Sequence, residues 1–232
     1  MSTVVKIGGA LLQNPAAAVQ EIEHVAKDRT VVVHGGGVQI TRMLEKMNVS
    51  SVFVDGLRVT DEKTLTAVAM ALLGDVHTML VAALQQRGIQ AVGIFGAVRA
   101  SKKQGPWGLV GAEVRADSPA LNALLDAGML PVIPTLAIGE NSLLNVNGDE
   151  TAAAVALALH STELVFLTDV EGVKDANGQV LDRVSRPDGP DELLKASFVS
   201  GGMIPKLRAV KTAIDGGIRK VRVGRTLFGS AS

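Results

Sequence analysis

The chain contains no cysteine. That removes disulfides, thiolate nucleophiles and cysteine–zinc sites together. Its four histidines, His24, His34, His77 and His160, show no HExxH or other metal-ligand spacing, and no metal site is expected. An excess of one charge is also lacking. Lysine and arginine total 23, as do aspartate and glutamate, so no net field favours a nucleic acid or an anionic membrane, and a small-molecule ligand is expected. Long apolar runs are missing too. The longest uninterrupted one, Ala152 to Leu159, is far too short to span a bilayer, and Lys6 stands where a signal peptide needs its apolar centre. These absences predict a cytoplasmic protein with no membrane and no nucleic-acid partner. No GxSxG elbow and no GxxxxGK(S/T) loop occurs, which excludes an esterase reading of His34-Gly35-Gly36-Gly37 and a Walker-type NTPase.

What is present is a folded α/β pattern. The 232 residues, 47% of them hydrophobic and 25 of them glycine, suffice for one large domain or two closely packed lobes. β-Branched runs alternate with helical periodicity, the signature of a mainly parallel sheet covered on both faces. Strands are expected at Thr3–Ile7, Thr30–Val33, Gln90–Ile94, Leu130–Ile133, Leu164–Thr168 and Lys220–Val223. Helices are expected after the triple glycine (Ile40, Leu44, Met47), over Leu65 to Leu73, and over Thr151 to His160. Val98 to Val114, with Lys102, Lys103, Gly105, Pro106, Trp107 and Gly111, reads as a hairpin or flap outside the main sheet. A hinge is expected around Leu136 to Asn145.

Several segments carry chemistry. Lys6-Ile7-Gly8-Gly9 and His34-Gly35-Gly36-Gly37 each leave the end of an expected strand, so backbone N–H groups, helix dipoles and a lysine can gather around phosphate. Arg58, in Asp55-Gly56-Leu57-Arg58-Val59-Thr60, offers a two-pronged donor to a carboxylate, or is a surface arginine in a turn. Asn145-Val146-Asn147-Gly148-Asp149 precedes the alanine-rich helix, so Asp149 or Asn147 can be its N-cap. Leu167-Thr168-Asp169-Val170-Glu171-Gly172-Val173 ends a strand in a polar turn at the sheet's carboxyl edge, where a nucleotide could lie. Ser200-Gly201-Gly202-Met203-Ile204-Pro205-Lys206 puts a lysine on the first turn of a helix, against the dipole.

In order and spacing these motifs resemble the amino acid kinase family, and within it the acetylglutamate kinase branch, from Lys6 to about Val223. The resemblance implies a three-layer αβα sandwich around an eight-stranded, mostly parallel sheet, the carbamate kinase-like fold. It implies one domain, with acyl amino acid over residues 1–140 and ATP over residues 141–232. The implied reaction is transfer of the γ-phosphoryl group of ATP to the γ-carboxylate of N-acetyl-L-glutamate, with Mg²⁺ carried by ATP. Lys6 and Lys206 would stabilise the moving phosphoryl group, Gly8, Gly9 and Gly36 would donate backbone hydrogen bonds to it, and Asp149 would hold the two lysines. Gly37, Arg58 and Asn145 would grip the α-carboxylate and acetamido end. Asp169, Val170, Glu171, Gly172, Val173 and Lys174, with Phe198, Val199, Ser200 and Gly201, would form much of the nucleotide pocket. No general base is required, because a glutamate side chain with a pKa of ~4.3 is already ionised at neutral pH.

Three places depart from the family pattern. Gly148 stands where relatives usually carry alanine, Gly93 to Arg99 lacks the usual Ser-Gly and Asp-Gly pairs, and only nine residues follow Val223 where relatives add a helix and a Gly-Thr strand. Either the last strands are missing or rearranged, or the form is compact. Arginine-inhibited members carry an extra N-terminal helix, and strand one is expected here from about Thr3, so the resemblance predicts an arginine-insensitive homodimer. Two sister readings stay open: a kinase for carrier-linked aminoadipate, a branch that often has glycine before the catalytic aspartate, and a non-catalytic sensor of the same fold.

Overall fold

The structure, a computed structural model, describes residues 1–184 and 189–229. β1 (Thr3–Ile7) leads through a short 3₁₀ turn to α1 (Pro15–Val25), and β2 (Thr30–His34) leads to α2 (Gly37–Lys46). A two-stranded hairpin, β3 (Phe53–Val54) and β4 (Leu57–Arg58), precedes α3 (Glu62–Ala69), a π-helical stretch (Met70–His77) and α4 (Thr78–Gln86). Then come β5 (Ala91–Gly93), β6 (Val98–Lys102), β7 (Gly111–Ala116), α5 (Ser118–Asp126), β8 (Leu130–Pro134), β9 (Leu136–Ile138) and β10 (Leu143–Asn145). The last third holds α6 (Gly148–Ala158), β11 (Glu163–Leu167), β12 (Arg183–Val184), α7 (Gly189–Lys195), α8 (Met203–Asp215), β13 (Lys220–Val223) and β14 (Thr226–Phe228).

Eight strands form the main sheet in the order β12-β14-β13-β11-β1-β2-β8-β5. Every neighbouring pair is parallel except β13 with β14. Thr226 to Phe228 therefore supply a strand within the short stretch after Val223, and residues 230–232 lie outside the described ones. The Val98 to Val114 region is an antiparallel hairpin outside this sheet, as expected. With β9 and β10 it builds a second sheet of order β10-β9-β6-β7. Leu136 to Asn145, expected as a hinge, is the β9–β10 hairpin of that sheet.

Strand alternation sorts the two faces. Val4, Val31, Val33, Leu164, Phe166 and Val221 turn towards α5, α6 and α8. Val5, Ile7, Val32, Val165 and Leu167 turn towards α1 and α4. By the same parity Lys6 shares the face of Val4, and His34 shares the face of Val32. A third apolar cluster, with Ile40, Leu44, Val68 and Leu72, joins α2 to α3 and the π stretch.

Glu62 to Gln86 form one continuous helix of 25 residues that, by length and composition alone, is apolar enough to cross a membrane. The count of uninterrupted apolar residues passed over it because Gly74, Asp75, His77 and Thr78 break the run. The helix packs against α1, α2 and β8, and 39% of its apolar window is buried there.

Candidate active site

The in-register pairing of β1 and β2, Ile7 opposite His34, sets the two glycine turns side by side at the carboxyl edge of the sheet. They touch through backbone. A Cβ built on Gly9 would lie 2.9 Å from the Gly37 nitrogen, and one on Gly36 would lie 2.8 Å from Leu72 Cδ2. Such approaches require glycine. Among the described residues the amides of Gly9 and Gly36 donate to no protein acceptor and are available to an anion. The Gly8 amide is not. It donates to the Leu167 carbonyl at 3.1 Å, because Gly8 extends the β1–β11 ladder by one step, so its expected donor role is corrected.

Beside the turns sits a charged triad. Asp149 Oδ1 is 2.8 Å from Lys6 Nζ and 3.1 Å from Lys206 Nζ, and Lys206 also reaches Asp149 Oδ2 at 3.1 Å. The side chains are 13% (Lys6), 8% (Asp149) and 9% (Lys206) exposed, so two cations and one anion are held almost out of water. Burial alone would raise the Asp149 carboxyl, but the two lysines outweigh it and hold the pKa below its ordinary value. Burial lowers the Lys206 ammonium, with Asp149 opposing. Lys206 also lies over the Phe166 ring, 5.1 Å from its centroid.

Each member arrives by a local rule. Lys6 points to the α6 side by strand parity, and Lys206 enters from the first turns of α8. The question of the α6 cap is settled by Asn147, whose side chain accepts from the amides of Asp149 (2.8 Å) and Glu150 (3.1 Å). Asp149 is thus free of capping and belongs to the lysines. A Cβ on Gly148 would stand 3.1 Å from Lys6 Cε and 3.3 Å from Thr135 Cγ2, so the departure at this position gives the Lys6 stem room.

Next to the triad opens a pocket of about 200 Å³ whose lining includes Gly36, Gly37, Arg58, Asn145 and Gly148. Arg58 is buried, and its guanidinium donates to Ser51 Oγ, to Thr41 Oγ1 at 2.9 Å and to the Gly37 carbonyl at 3.3 Å. Phe53 packs on its face, 4.6 Å from centroid to Cζ. Among the described residues no carboxylate pairs with it, and desolvation lowers its pKa. A buried guanidinium held only by neutral groups is ready for an incoming anion. Asn145 is fixed by Thr60, which accepts from its side-chain amide at 3.1 Å. Thr41, Ser51 and Thr135 carry no signal in the sequence, since single small polar residues on separate elements establish no period, and neither does the lone aromatic Phe53.

The expected nucleotide segments follow β11 and precede α8. Asp169, Val170 and Glu171 are exposed on the loop after β11. Gly172 and Val173 are buried in tying that loop to β14. Thr226 Oγ1 accepts from the Val173 amide at 2.8 Å, a Cβ on Gly172 would meet that oxygen at 2.6 Å, and the Val173 side chain is core. The Val173 amide and side chain are thereby engaged within the protein. Lys174 pairs with Val180 in an isolated bridge. Phe198 and Ser200 are exposed, Val199 packs on the core, and Gly201, at φ +57°, turns the chain into α8.

Comparison with known proteins agrees with this geometry. The amino acid kinase family model matches residues 1–225. An acetylglutamate kinase of Acidobacterium capsulatum is 42% identical over 96% of this chain and 90% of its own length. One from Methanopyrus kandleri is 39% identical over 94% of this chain and 92% of its own. A crystal structure of a Streptococcus mutans protein superposes with a TM-score of 0.87 at 27% identity, covering 99% of both chains. The family model's match over residues 1–225, together with relatives about 40% identical over nearly the full chain, places this chain in the amino acid kinase family.

Proposed function

We propose that the protein catalyses ATP-dependent phosphorylation of the γ-carboxylate of N-acetyl-L-glutamate, a step of arginine biosynthesis. The observation that carries this reading is the buried cationic centre, two lysines on one aspartate, beside a pocket whose Arg58 has no acidic partner among the described residues. The names of the relatives support the choice of acyl amino acid.

The chemistry follows from charge. The substrate carboxylate, already ionised at a pKa of ~4.3, attacks the γ-phosphorus while the bond from that phosphorus to the bridging oxygen breaks and ADP departs. No proton moves in that step, so the enzyme's task is electrostatic and positional. Lys6 and Lys206 flank the transferring group, Asp149 keeps both ammonium groups aimed, and the Gly9 and Gly36 amides donate to phosphoryl oxygens. Arg58 takes the α-carboxylate, with Gly37 and Asn145 on the acetamido end. ATP extends over the exposed loop Asp169 to Glu171 and the Phe198 to Gly201 segment.

Among the described residues no three acidic or histidine side chains converge. A donor set of lysines and amides fits a magnesium ion held by the nucleotide's own phosphates and water, where it would offset phosphate charge. The acyl amino acid lies over residues up to about 140 and ATP over the remainder, as the family resemblance implies. That resemblance also supports a cytoplasmic, arginine-insensitive homodimer, which sedimentation with and without arginine would test.

The reading is tested by trapping acyl phosphate with hydroxylamine in the presence of Mg-ATP and N-acetylglutamate, glutamate, N-acetylaspartate or N-acetylaminoadipate. Hydroxamate with N-acetylglutamate alone supports it. Signal mainly with another acid moves the chain to a sister activity, and none with any free acid points to a carrier-bound substrate or a sensor.

A further inference from the structure

Two histidines that phosphoryl transfer leaves unused form a bonded pair behind the second glycine turn. His34 ends β2 fully buried and faces the α1 and α4 side, away from Lys6. Its Nε2 lies 2.9 Å from His77 Nδ1, and its Nδ1 lies 3.0 Å from the Gly35 carbonyl oxygen. A carbonyl can only accept. His34 Nδ1 therefore carries the proton, His34 Nε2 is bare, and His77 Nδ1–H donates to it. Burial pushes His34 down to about 3 and lowers His77 as well, so both rings are neutral at working pH.

The relay ends on one particular peptide unit. Gly35 supplies its carbonyl and Gly36 its N–H, and the Gly36 N–H is one of the free donors in the phosphoryl site. His77 closes the π-helical stretch whose Leu72 and Val76 also crowd Gly36, at 2.8 and 3.2 Å from a Cβ built there. π-Helical turns inside α-helices are rare and concentrate at functional sites. On its far side the His77 ring is accommodated only because residue 93 is glycine, where a Cβ would stand 2.4 Å from His77 Nε2.

We propose that His34 and His77 are positioning residues that lock and polarise the Gly35–Gly36 peptide, aiming the Gly36 N–H at the transferring phosphoryl group. The proposal rests on the kinase reading above. It gives the π-helical turn a purpose, since that turn delivers His77 to His34.

The test compares wild type with His77→Leu, His77→Asn and Gly93→Ala. Asparagine can present its amide N–H near the position of the lost Nδ1–H, and leucine cannot. His77→Leu and Gly93→Ala are expected to lower kcat about tenfold to a hundredfold, the scale of lost supporting contacts, with KM for both substrates within about twofold and His77→Asn recovering most of the rate. The Gly36 amide resonance is read in parallel, without turnover. It should shift in His77→Leu and Gly93→Ala and return towards wild type in His77→Asn. An unmoved resonance, or equal losses for leucine and asparagine, overturns the proposal. If wild type turned over no substrate the kinase reading would fail, and the resonance would still decide whether the pair fixes the peptide.

Discussion

Lys6 Nζ lies 2.8 Å from Asp149 Oδ1, an oxygen that also lies 3.1 Å from Lys206 Nζ. The relationship is unequal. Asp149 is needed by two cations, whereas each lysine needs only one anion, so the cluster carries one net positive charge towards the glycine turns. This surplus charge, held almost dry, is what an incoming polyphosphate and carboxylate meet.

Asp149→Asn removes the carboxylate that both buried ammonium groups contact. Losing one partner of a buried pair typically costs about 3–5 kcal/mol, so a large fall in thermal midpoint is expected, with kcat down by about a hundredfold or more in the folded fraction. Circular dichroism melts and initial rates check both. Unchanged melting would mean that the lysines do not depend on Asp149.

Arg58→Lys keeps the charge and removes the two-pronged donor. The KM for the acyl amino acid should rise about tenfold to a hundredfold, matching the ~1.5–3 kcal/mol of a charge-assisted hydrogen bond, with the KM for ATP unchanged. Steady-state kinetics with each substrate varied separately makes the comparison, and an ATP effect of equal size would remove Arg58 from the acyl pocket.

Gly9→Ala places a methyl group 2.9 Å from the Gly37 nitrogen, against backbone that can yield only by separating the two turns. The expected cost is about 1–3 kcal/mol of stability, the scale of overpacking, together with a loss of kcat larger than the stability change explains. Denaturant titration and single-turnover rates separate the two.

Acid should weaken the fold through His34. Its folded pKa of about 3 lies below the ordinary 6.5, so the unfolded chain binds the proton more readily. The stability that neutral His34 allows is complete above pH 6.5 and falls as pH drops towards 3, by about 1.4 kcal/mol per pH unit. Asp149, also held low, begins to contribute its own loss only below the ordinary carboxylate range. Urea midpoints at pH 7 and pH 5 test this, and His34→Gln should reduce the slope between them, leaving the share of His77, whose pKa burial also lowers.

How much of this could be read from the chain depended on repetition. Thr3–Ile7 and Lys220–Val223 match to the residue and the other expected strands match within one, because apolar and β-branched runs carry their own signal. Apart from β5, which lies within the apolar stretch Gln90–Ile94, the two- and three-residue strands β3, β4, β9, β10, β12 and β14 were illegible, since so few residues establish no period. In the site, Lys6, Asp149, Lys206 and Arg58 were legible as residue types at sheet edges and helix starts. That Arg58 would be buried with no carboxylate partner among the described residues, and that the Gly8 amide would be spent on Leu167, depend on contacts between distant elements, whereas the cap of α6 is a local choice between Asn147 and Asp149 that the sequence left open. The His34–His77 pair was half legible. Strand parity separates His34 from Lys6, but only the fold brings residue 77 to it.

The catalytic weight of the two lysines is measured by following phosphoryl transfer with phosphorus NMR, with Mg-ATP and N-acetylglutamate, in wild type, Lys6→Met and Lys206→Met. An acyl phosphate resonance growing in step with ADP in wild type, and slowed by about a hundredfold or more in each folded variant, is the predicted result. Wild-type transfer that survives both substitutions would contradict it.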